Sequence, residues 1–185
     1  MDLAAIPAWL EASTVATTIR NSLYLFALIE SFHVIGVAVV IGTVLVIDLR
    51  LLGLASARRP FTAIALDVFR WTWIAFALTV ATGALMFVTN ATSYYVNSYF
   101  RMKMALLVLA GINIAAFELT ARRSVAAWDR DTAAPASGRR VALLSLAIWV
   151  VVVFLGRWVG FTLSTTAAPV NEEINFEELE NLIPK

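Results

Sequence analysis

The sequence contains no cysteine and one histidine among its 185 residues. Without cysteine there are no disulfides, no thiolate-bound zinc and no cysteine-ligated iron–sulfur cluster. The single histidine limits each copy to one imidazole ligand for a metal or a haem. Charged residues are scarce too, at 15% against about a quarter in a soluble domain. The net charge of +1 provides no field for a polyanion, so nucleic acid is not an expected partner.

Apolar residues are in excess: they make up 61% of the chain, and the mean hydropathy is +0.82. One small core cannot bury this excess, so we expect lipid as the solvent. A bilayer core about 30 Å thick requires roughly 20 apolar residues in a helix. Four segments are long enough, at about 21–47, 69–90, 103–121 and 141–163. The sequence therefore predicts an all-α integral membrane protein, with a four-helix transmembrane domain over residues 20–163.

The predicted bundle is flanked by two segments of different composition. Residues 1–19 lack the basic region of a signal peptide and place Pro7 and Trp9 close together, which predicts a short amphipathic helix in the membrane interface. A frayed terminus is the alternative. Residues 164–185 form an acidic tail that mixes glutamates with apolar residues from 171 to 185. This tail predicts either a helix that docks on a partner or on the protein's own outer face, or a solvated segment.

Arginine is distributed unevenly between the two sides of the predicted bundle. One side carries Arg50, Arg58, Arg59, Arg70, Arg122, Arg123, Arg130, Arg139 and Arg140, and the other carries Arg20, Arg101, Lys103 and Lys185. Basic residues accumulate in cytoplasmic loops. The arginine-rich side is therefore predicted to face the cytoplasm of a bacterium, with both termini outside the inner membrane. Interhelical salt bridges are expected on this side, and residues 129–140 are predicted to form a flexible linker.

Two ionisable residues lie at similar predicted depths in the first and fourth spans. A charge inside a bilayer costs roughly 2.5–3.5 kcal/mol, so each needs a partner or a purpose. Glu30 and Arg157 are at depths that allow an ion pair, which would fix the packing of two helices. In the functional interpretation, Arg157 holds an anionic group such as a haem propionate, and Glu30 orients it or relays a proton.

His33 follows Glu30 by three residues and shares its helical face. One imidazole can ligate a haem or chlorophyll-type metal from within the membrane, and Gly36 would leave room for the macrocycle. The sixth ligand would be Met86, another side chain, water, or His33 of a second copy. The alternative is a neutral histidine hydrogen-bonded to Glu30 or to Asn113. The predicted apolar walls are Trp71, Trp73, Phe76, Trp149, Phe154 and Trp158.

Gly156 and Gly160 form a G-x-x-x-G pair in the fourth span. Small residues at this spacing mark close helix packing in lipid, either against a sister helix or in a homodimer. Copper is the runner-up cofactor after haem b, with Met102 and Met104 as its weak signal.

Five short segments carry a family resemblance: 30–36 (E-S-F-H-V-I-G), 48–53 (D-L-R-L-L-G), 109–113 (L-A-G-I-N), 127–129 (A-W-D) and 156–161 (G-R-W-V-G-F). They resemble an uncharacterised family of small bacterial four-helix membrane proteins, over roughly residues 21–163. That family is distantly similar to the copper-resistance D proteins and to b-type cytochrome bundles. The resemblance implies that His33 is a candidate axial ligand. The b-type cytochromes usually present paired histidines, so a bis-histidine haem here would need two copies.

From the sequence we expect an inner-membrane protein that binds a haem-like cofactor through His33 and serves electron transfer as part of a complex. The first alternative is a non-catalytic anchor or accessory subunit that recruits a partner through residues 171–185. The second is a small transporter of a metal ion or solute along Glu30, His33 and Asn113. No dehydrogenase, hydrolase or nucleotide-binding motif is present. Enzyme activity of the isolated chain is therefore not expected, although a redox subunit is compatible with the sequence.

Overall fold

A computed structural model describes residues 5–56 and 58–166, with side chains up to residue 163. Its α-helices are α1 (Ala5–Glu11), α2 (Thr14–Asn21), α3 (Leu25–Leu51), α4 (Phe61–Thr89), α5 (Ala91–Val96), α6 (Ser98–Leu119), α7 (Val125–Trp128) and α8 (Ala136–Thr166). A short 3-10 helix, Arg122–Ser124, precedes α7. The acidic segment 171–185 lies outside the described residues.

Helices α3, α4, α6 and α8 are each long and apolar enough to cross a membrane. The prediction of an all-α, four-helix membrane bundle is thereby confirmed. The four helices alternate in direction. The closest pairs are α3 with α4 and α6 with α8, and α3 also packs against α8. We call the end formed by residues 52–56, 58–60 and 120–135 the arginine-rich end, and the end formed by α1, α2 and α5 the opposite end.

Local sequence signals explain where several helices begin and end. Pro60 immediately precedes α4, where its missing N–H costs nothing. Gly53 adopts a φ of 75° just after α3, a left-handed conformation that favours glycine and ends the helix. At the opposite end, the Asn97 side chain caps α6 by accepting from the Phe100 N–H at 3.0 Å.

The outer surface of the bundle is apolar along its length. Large side chains are well exposed on every long helix, for example Leu28 (53%), Trp73 (65%), Val108 (65%) and Phe154 (66%). In water such a surface would drive aggregation, whereas in a bilayer it contacts lipid at no cost. The exposure pattern therefore fits a bundle surrounded by lipid.

The largest buried core lies at the arginine-rich end. Phe61 of α4 contacts Phe117 of α6 edge-on, with ring centroids 5.8 Å apart, and Trp128 at 5.1 Å. The indole N–H of Trp128 donates to the Ala121 carbonyl at 3.0 Å, which satisfies its one polar atom in this buried position. This aromatic group joins α4, α6 and α7.

Arg50 is fully buried and hydrogen-bonds to the α3–α4 and α7–α8 connections at the same end. Its guanidinium donates to the carbonyls of Arg59 (3.1 Å), Asp129 (3.1 Å), Asp131 (2.9 Å) and Thr132 (3.4 Å). One cation thus satisfies four backbone carbonyls from both connections. A buried charge is tolerated only when its donors are paired in this way.

The connection from residue 129 to α8 is ordered by further contacts. The Ala134 N–H donates to the Leu51 carbonyl at 2.9 Å, and the Asp129 carboxylate accepts from the Thr62 N–H at 2.8 Å. The prediction of a flexible linker over 129–140 is therefore wrong, because Arg50, α3 and the start of α4 bind its backbone.

The ion pairs at this end are local in sequence. Asp67 of α4 pairs with Arg59 at 3.3 Å, and Glu118 pairs with Arg122 four residues later. Among the described side chains there is no salt bridge between two of the long helices. The predicted interhelical salt bridges are wrong, and close helix packing is achieved instead by small and apolar residues.

Candidate functional site

His33 lies on α3, half-buried, and its imidazole faces α4. The ring atom Nδ1 is 3.1 Å from the Thr79 carbonyl oxygen and 3.1 Å from the Thr82 hydroxyl. A carbonyl can only accept, so the hydrogen of the neutral ring must be on Nδ1. The other ring nitrogen, Nε2, then carries a lone pair.

The Nε2 atom of this half-buried ring is not fully enclosed by the protein. In the described part of the chain, Nε2 forms no hydrogen bond. It is also not one of the fully buried polar atoms that lack a partner. The single imidazole is therefore fixed at one nitrogen and open at the other. Histidine ligands of metals usually have this arrangement, in which the second nitrogen donates to a carbonyl.

Two glycines explain how α3 and α4 come close enough for this contact. A Cβ on Gly36 would lie 2.5 Å from the Thr79 hydroxyl oxygen, and a Cβ on Gly83 would lie 3.0 Å from His33 Cε1. Gly83 therefore provides the space for the imidazole, and Gly36 lets α4 approach. Thr79 occupies the space beside Gly36, so that glycine does not leave room for a macrocycle as the sequence had predicted.

The alternative partners predicted for His33 are wrong. Asn113 of α6 donates from Nδ2 to the Val141 carbonyl of α8 at 3.0 Å, and Glu30 forms no hydrogen bond with His33 in the described chain. The structure also does not bring together the predicted line of Glu30, His33 and Asn113. The threonines of α4 are the partners of His33 instead.

Two charged side chains lie in the surroundings of His33, Lys103 of α6 and Glu30 of α3. Lys103 is half-buried, and its ammonium nitrogen is 3.5 Å from the position that a Cβ on Gly156 would take. Gly156 thus accommodates the lysine side chain between α6 and α8. Glu30 is exposed and lies near α5, where burial and then the charge of Glu30 raise the pKa of Tyr94.

Arg157 does not pair with Glu30. Its guanidinium is 4.6 Å from the ring centroid of Phe161, a cation–π contact on the exposed face of α8. Within the described side chains, the salt bridges include neither Glu30 nor Arg157. The predicted ion pair is therefore wrong, and Lys103 is the basic side chain in the surroundings of His33.

The remaining predicted site residues are dispersed. Met86 is half-buried on α4, about one turn beyond Gly83, and nothing lies within 4 Å of the position that a Cβ on Gly160 would take. The predicted wall residues Trp71, Trp73, Phe76, Phe154 and Trp158 are between 42% and 66% exposed. These five aromatic residues therefore face the surroundings of the bundle and do not line an interior pocket.

A cavity of about 530 Å³ opens at the opposite end, lined by Phe87, Tyr95, Val96, Phe100, Arg101 and Met104. Phe87 and Phe100 stack on each other in its wall, with ring centroids 5.6 Å apart. His33 is not among the lining residues. In the part of the chain that the structure covers, no group of three or more histidine, cysteine or acidic side chains is arranged to hold a metal ion.

The fold and the site define a class of protein: a four-helix membrane bundle with one anchored histidine between its first two long helices. Within this class, the chain belongs to DUF6644, a family of unknown function, whose model matches residues 8–162. Comparison with curated proteins and with solved structures found no match. The match to DUF6644 agrees with the predicted resemblance to an uncharacterised family. The likeness to copper-resistance D proteins and b-type cytochromes stays a prediction.

Proposed function

We propose that this protein is a membrane redox component that binds a haem-like group through Nε2 of His33 and transfers electrons as part of a complex. The observation that carries the proposal is the bond from Nδ1 to the Thr79 carbonyl at 3.1 Å. This bond selects the tautomer in which Nε2 can ligate, and it orients the ring. A haem bound there supplies one-electron chemistry.

The chain's own residues fit an axial ligand better than an enclosed haem pocket. Nε2 is not fully enclosed, but the 530 Å³ cavity does not include His33, and Thr79 fills the space beside Gly36. The macrocycle would therefore lie at the lipid-facing surface or between two copies that each contribute His33. We favour two copies, because a second His33 supplies the sixth ligand that one chain lacks.

Lys103 takes the role that the sequence analysis gave to Arg157. Lys103 lies in the surroundings of the imidazole, whereas Arg157 contacts Phe161 on the exposed face of α8. A positive charge beside the ligand favours an anionic substituent such as a propionate. It also favours the reduced state of a bound metal, because reduction removes one positive charge.

The test is the visible absorption spectrum of the detergent-purified protein, oxidised and dithionite-reduced, after expression with ample haem. We expect a Soret band that sharpens and shifts on reduction and that is lost in His33→Ala. Asn113→Ala is the control, because Asn113 bonds α8 and not His33, and it should keep the band.

Two results would overturn the haem proposal: a featureless spectrum, or pigment retained in His33→Ala. Metal analysis of the same samples tests copper, the alternative cofactor. Copper that co-purifies with the wild type and is lost in His33→Ala, without a Soret band, would assign the imidazole to copper.

We also propose that the arginine-rich end faces the cytoplasm of a bacterium, with the protein in the inner membrane and both termini outside. The support is the excess of arginine in the connections at that end. The absence of cysteine makes the test clean, since Ser137→Cys and Ser98→Cys would each carry the only thiol. A membrane-impermeant maleimide applied to intact cells should label Ser98→Cys and not Ser137→Cys. The reverse pattern would invert the topology.

A further inference from the structure

Asp48 lies inside the bundle near the arginine-rich end, three residues before the end of α3 at Leu51. The residue is 4% exposed, and its Oδ2 atom has no hydrogen-bond partner. Among the described residues it is the only buried side-chain polar atom in this condition. A buried unpaired carboxylate oxygen is costly in any protein interior and needs a physical explanation.

Ser145 lies beside this carboxyl, and a second buried polar side chain, Asn113, bonds to the backbone of α8 one turn away from Ser145. Ser145 of α8 is 8% exposed and places its hydroxyl beside the Asp48 carboxyl. Asn113 of α6 is 5% exposed and donates to the Val141 carbonyl at 3.0 Å. Val141 and Ser145 are one turn apart on α8, so α3 and α6 place their polar groups on the same turn.

The donor and acceptor assignments leave an oxygen-rich site. Because Nδ2 of Asn113 donates to Val141, its Oδ1 atom is an additional acceptor. The site then offers the carboxylate of Asp48, the hydroxyl of Ser145 and the amide oxygen of Asn113. Hard cations prefer oxygen ligands of these kinds.

No protein cation neutralises Asp48 in the described chain. The nearest candidate in sequence, Arg50, directs its donors to the carbonyls of the two connections. Arg59 pairs with Asp67, and Arg122 pairs with Glu118. The other arginines of this end, Arg58, Arg70, Arg123, Arg130, Arg139 and Arg140, are exposed and form no ion pair with Asp48.

We propose that Asp48, Ser145 and Asn113 form a binding site for a small monovalent cation, a sodium ion or a proton, that neutralises the Asp48 carboxylate. One carboxylate with neutral oxygens balances a single positive charge, whereas a divalent ion would leave an excess charge in the bundle. The site is about 22 Å from His33 along α3, at about 1.5 Å per residue, and therefore does not depend on the proposed haem site.

The experiment measures the melting temperature of the full chain in detergent under two titrations. In the first, sodium chloride replaces choline chloride at fixed pH and ionic strength. In the second, the pH is lowered from 8 to 5 in choline chloride. A cation that binds the folded state alone stabilises it, so we expect the melting temperature to rise and to saturate in one of the two titrations.

Asp48→Asn should remove this rise, because the amide keeps the size of the carboxyl and lacks its charge. Asp67→Asn is the matched control, since Asp67 is exposed and pairs with Arg59, and it should keep the wild-type response. A rise with sodium identifies the sodium ion as the ligand, and a rise with acid alone identifies the proton. The proposal is overturned if the wild type responds to neither, or if Asp48→Asn responds as the wild type does.

A second variant keeps the test valid if Asp48→Asn does not fold. Ser145→Ala retains the carboxylate and removes one ligand oxygen, so it should weaken the apparent cation affinity several-fold, and Ser145→Thr should restore it. Unchanged affinity in Ser145→Ala would remove Ser145 from the site and contradict the proposal.

Discussion

The arginine-rich end of the bundle and its middle differ in how their interiors are packed. At the arginine-rich end, ten buried residues from α3, α4, α6, α7, α8 and their connections form one cluster. The second cluster, between α6 and α8, has three buried residues: Ala110, Ile148 and Val152. Packing density of this kind determines which part of a protein is rigid. The arginine-rich end is therefore the scaffold of the molecule.

The polar groups show the same contrast. Arg50 at the arginine-rich end is saturated by four carbonyls, whereas His33 toward the opposite end is anchored at one nitrogen and not hydrogen-bonded at the other. Asp48 is the exception within the scaffold, because its Oδ2 atom lacks a partner. Unsatisfied or half-satisfied polar groups are costly to keep, so we expect function at His33 and Asp48 and architecture at Arg50.

The largest expected effect on stability comes from replacing Arg50, the buried cation of the arginine-rich end. Arg50→Met should lower the free energy of unfolding by about 3–5 kcal/mol, because it removes a buried cation whose donors hold four part-buried carbonyls of the two connections. Unfolding in mixed micelles, followed by tryptophan fluorescence, measures this change. Arg59→Met is the control: its exposed pair with Asp67 should be worth at most about 1 kcal/mol. An equal loss in both variants would contradict the distinction between the buried arginine and a surface one.

A smaller effect is expected at the turn that follows α3. Gly53→Ala places a methyl group 2.8 Å from the Thr132 carbonyl oxygen, at a φ of 75°. The left-handed conformation alone costs an alanine about 1–2 kcal/mol, and the contact with backbone adds to it. Gly42→Ala is the matched control, since nothing lies within 4 Å of its Cβ position and alanine favours helix. The same unfolding assay should show a loss for Gly53→Ala alone, and equal stability of the two variants would refute the close approach of Thr132.

The fold was predictable because membrane spans are a local property. A run of about 20 apolar residues identifies a helix without knowledge of its neighbours. The burial of the two charged residues in the D-L-R-L-L-G segment, by contrast, was not predicted: the sequence analysis expected salt bridges on this side, and both Asp48 and Arg50 are buried. Two charges at i and i+2 on a helix lie on different faces. That spacing was the available signal that the two residues have separate roles.

The partners of His33 were not predictable, because they depend on the rotation of α4 against α3. Thr79, Thr82 and Gly83 were visible only as polar or small residues at membrane depth. Nothing local distinguishes the face that receives the imidazole from the other faces of a uniformly apolar helix. The position of Lys103 beside His33 was also missed, because a lysine near the end of a span is usually an interfacial anchor.

The smallest effect on stability, and the sharpest on the site, is expected for Gly83→Ala. The new methyl group would lie 3.0 Å from His33 Cε1, so the ring must shift by a few tenths of an ångström. Alanine's higher helix propensity, worth up to about 1 kcal/mol, offsets part of the cost. The stability should change little, while the bond from Nδ1 to the Thr79 carbonyl weakens.

The single histidine makes this change measurable by NMR, since selective ¹⁵N labelling reports on one imidazole. We expect the Nδ1 resonance to move in Gly83→Ala and to stay in place in Gly111→Ala, where nothing lies within 4 Å of the Cβ position. An unmoved resonance in Gly83→Ala would mean that the ring does not pack on Gly83. The same movement in Gly111→Ala would mean that the His33 ring responds to distant changes in α6. In that case the contrast between a rigid scaffold and an independent histidine site would have to be abandoned.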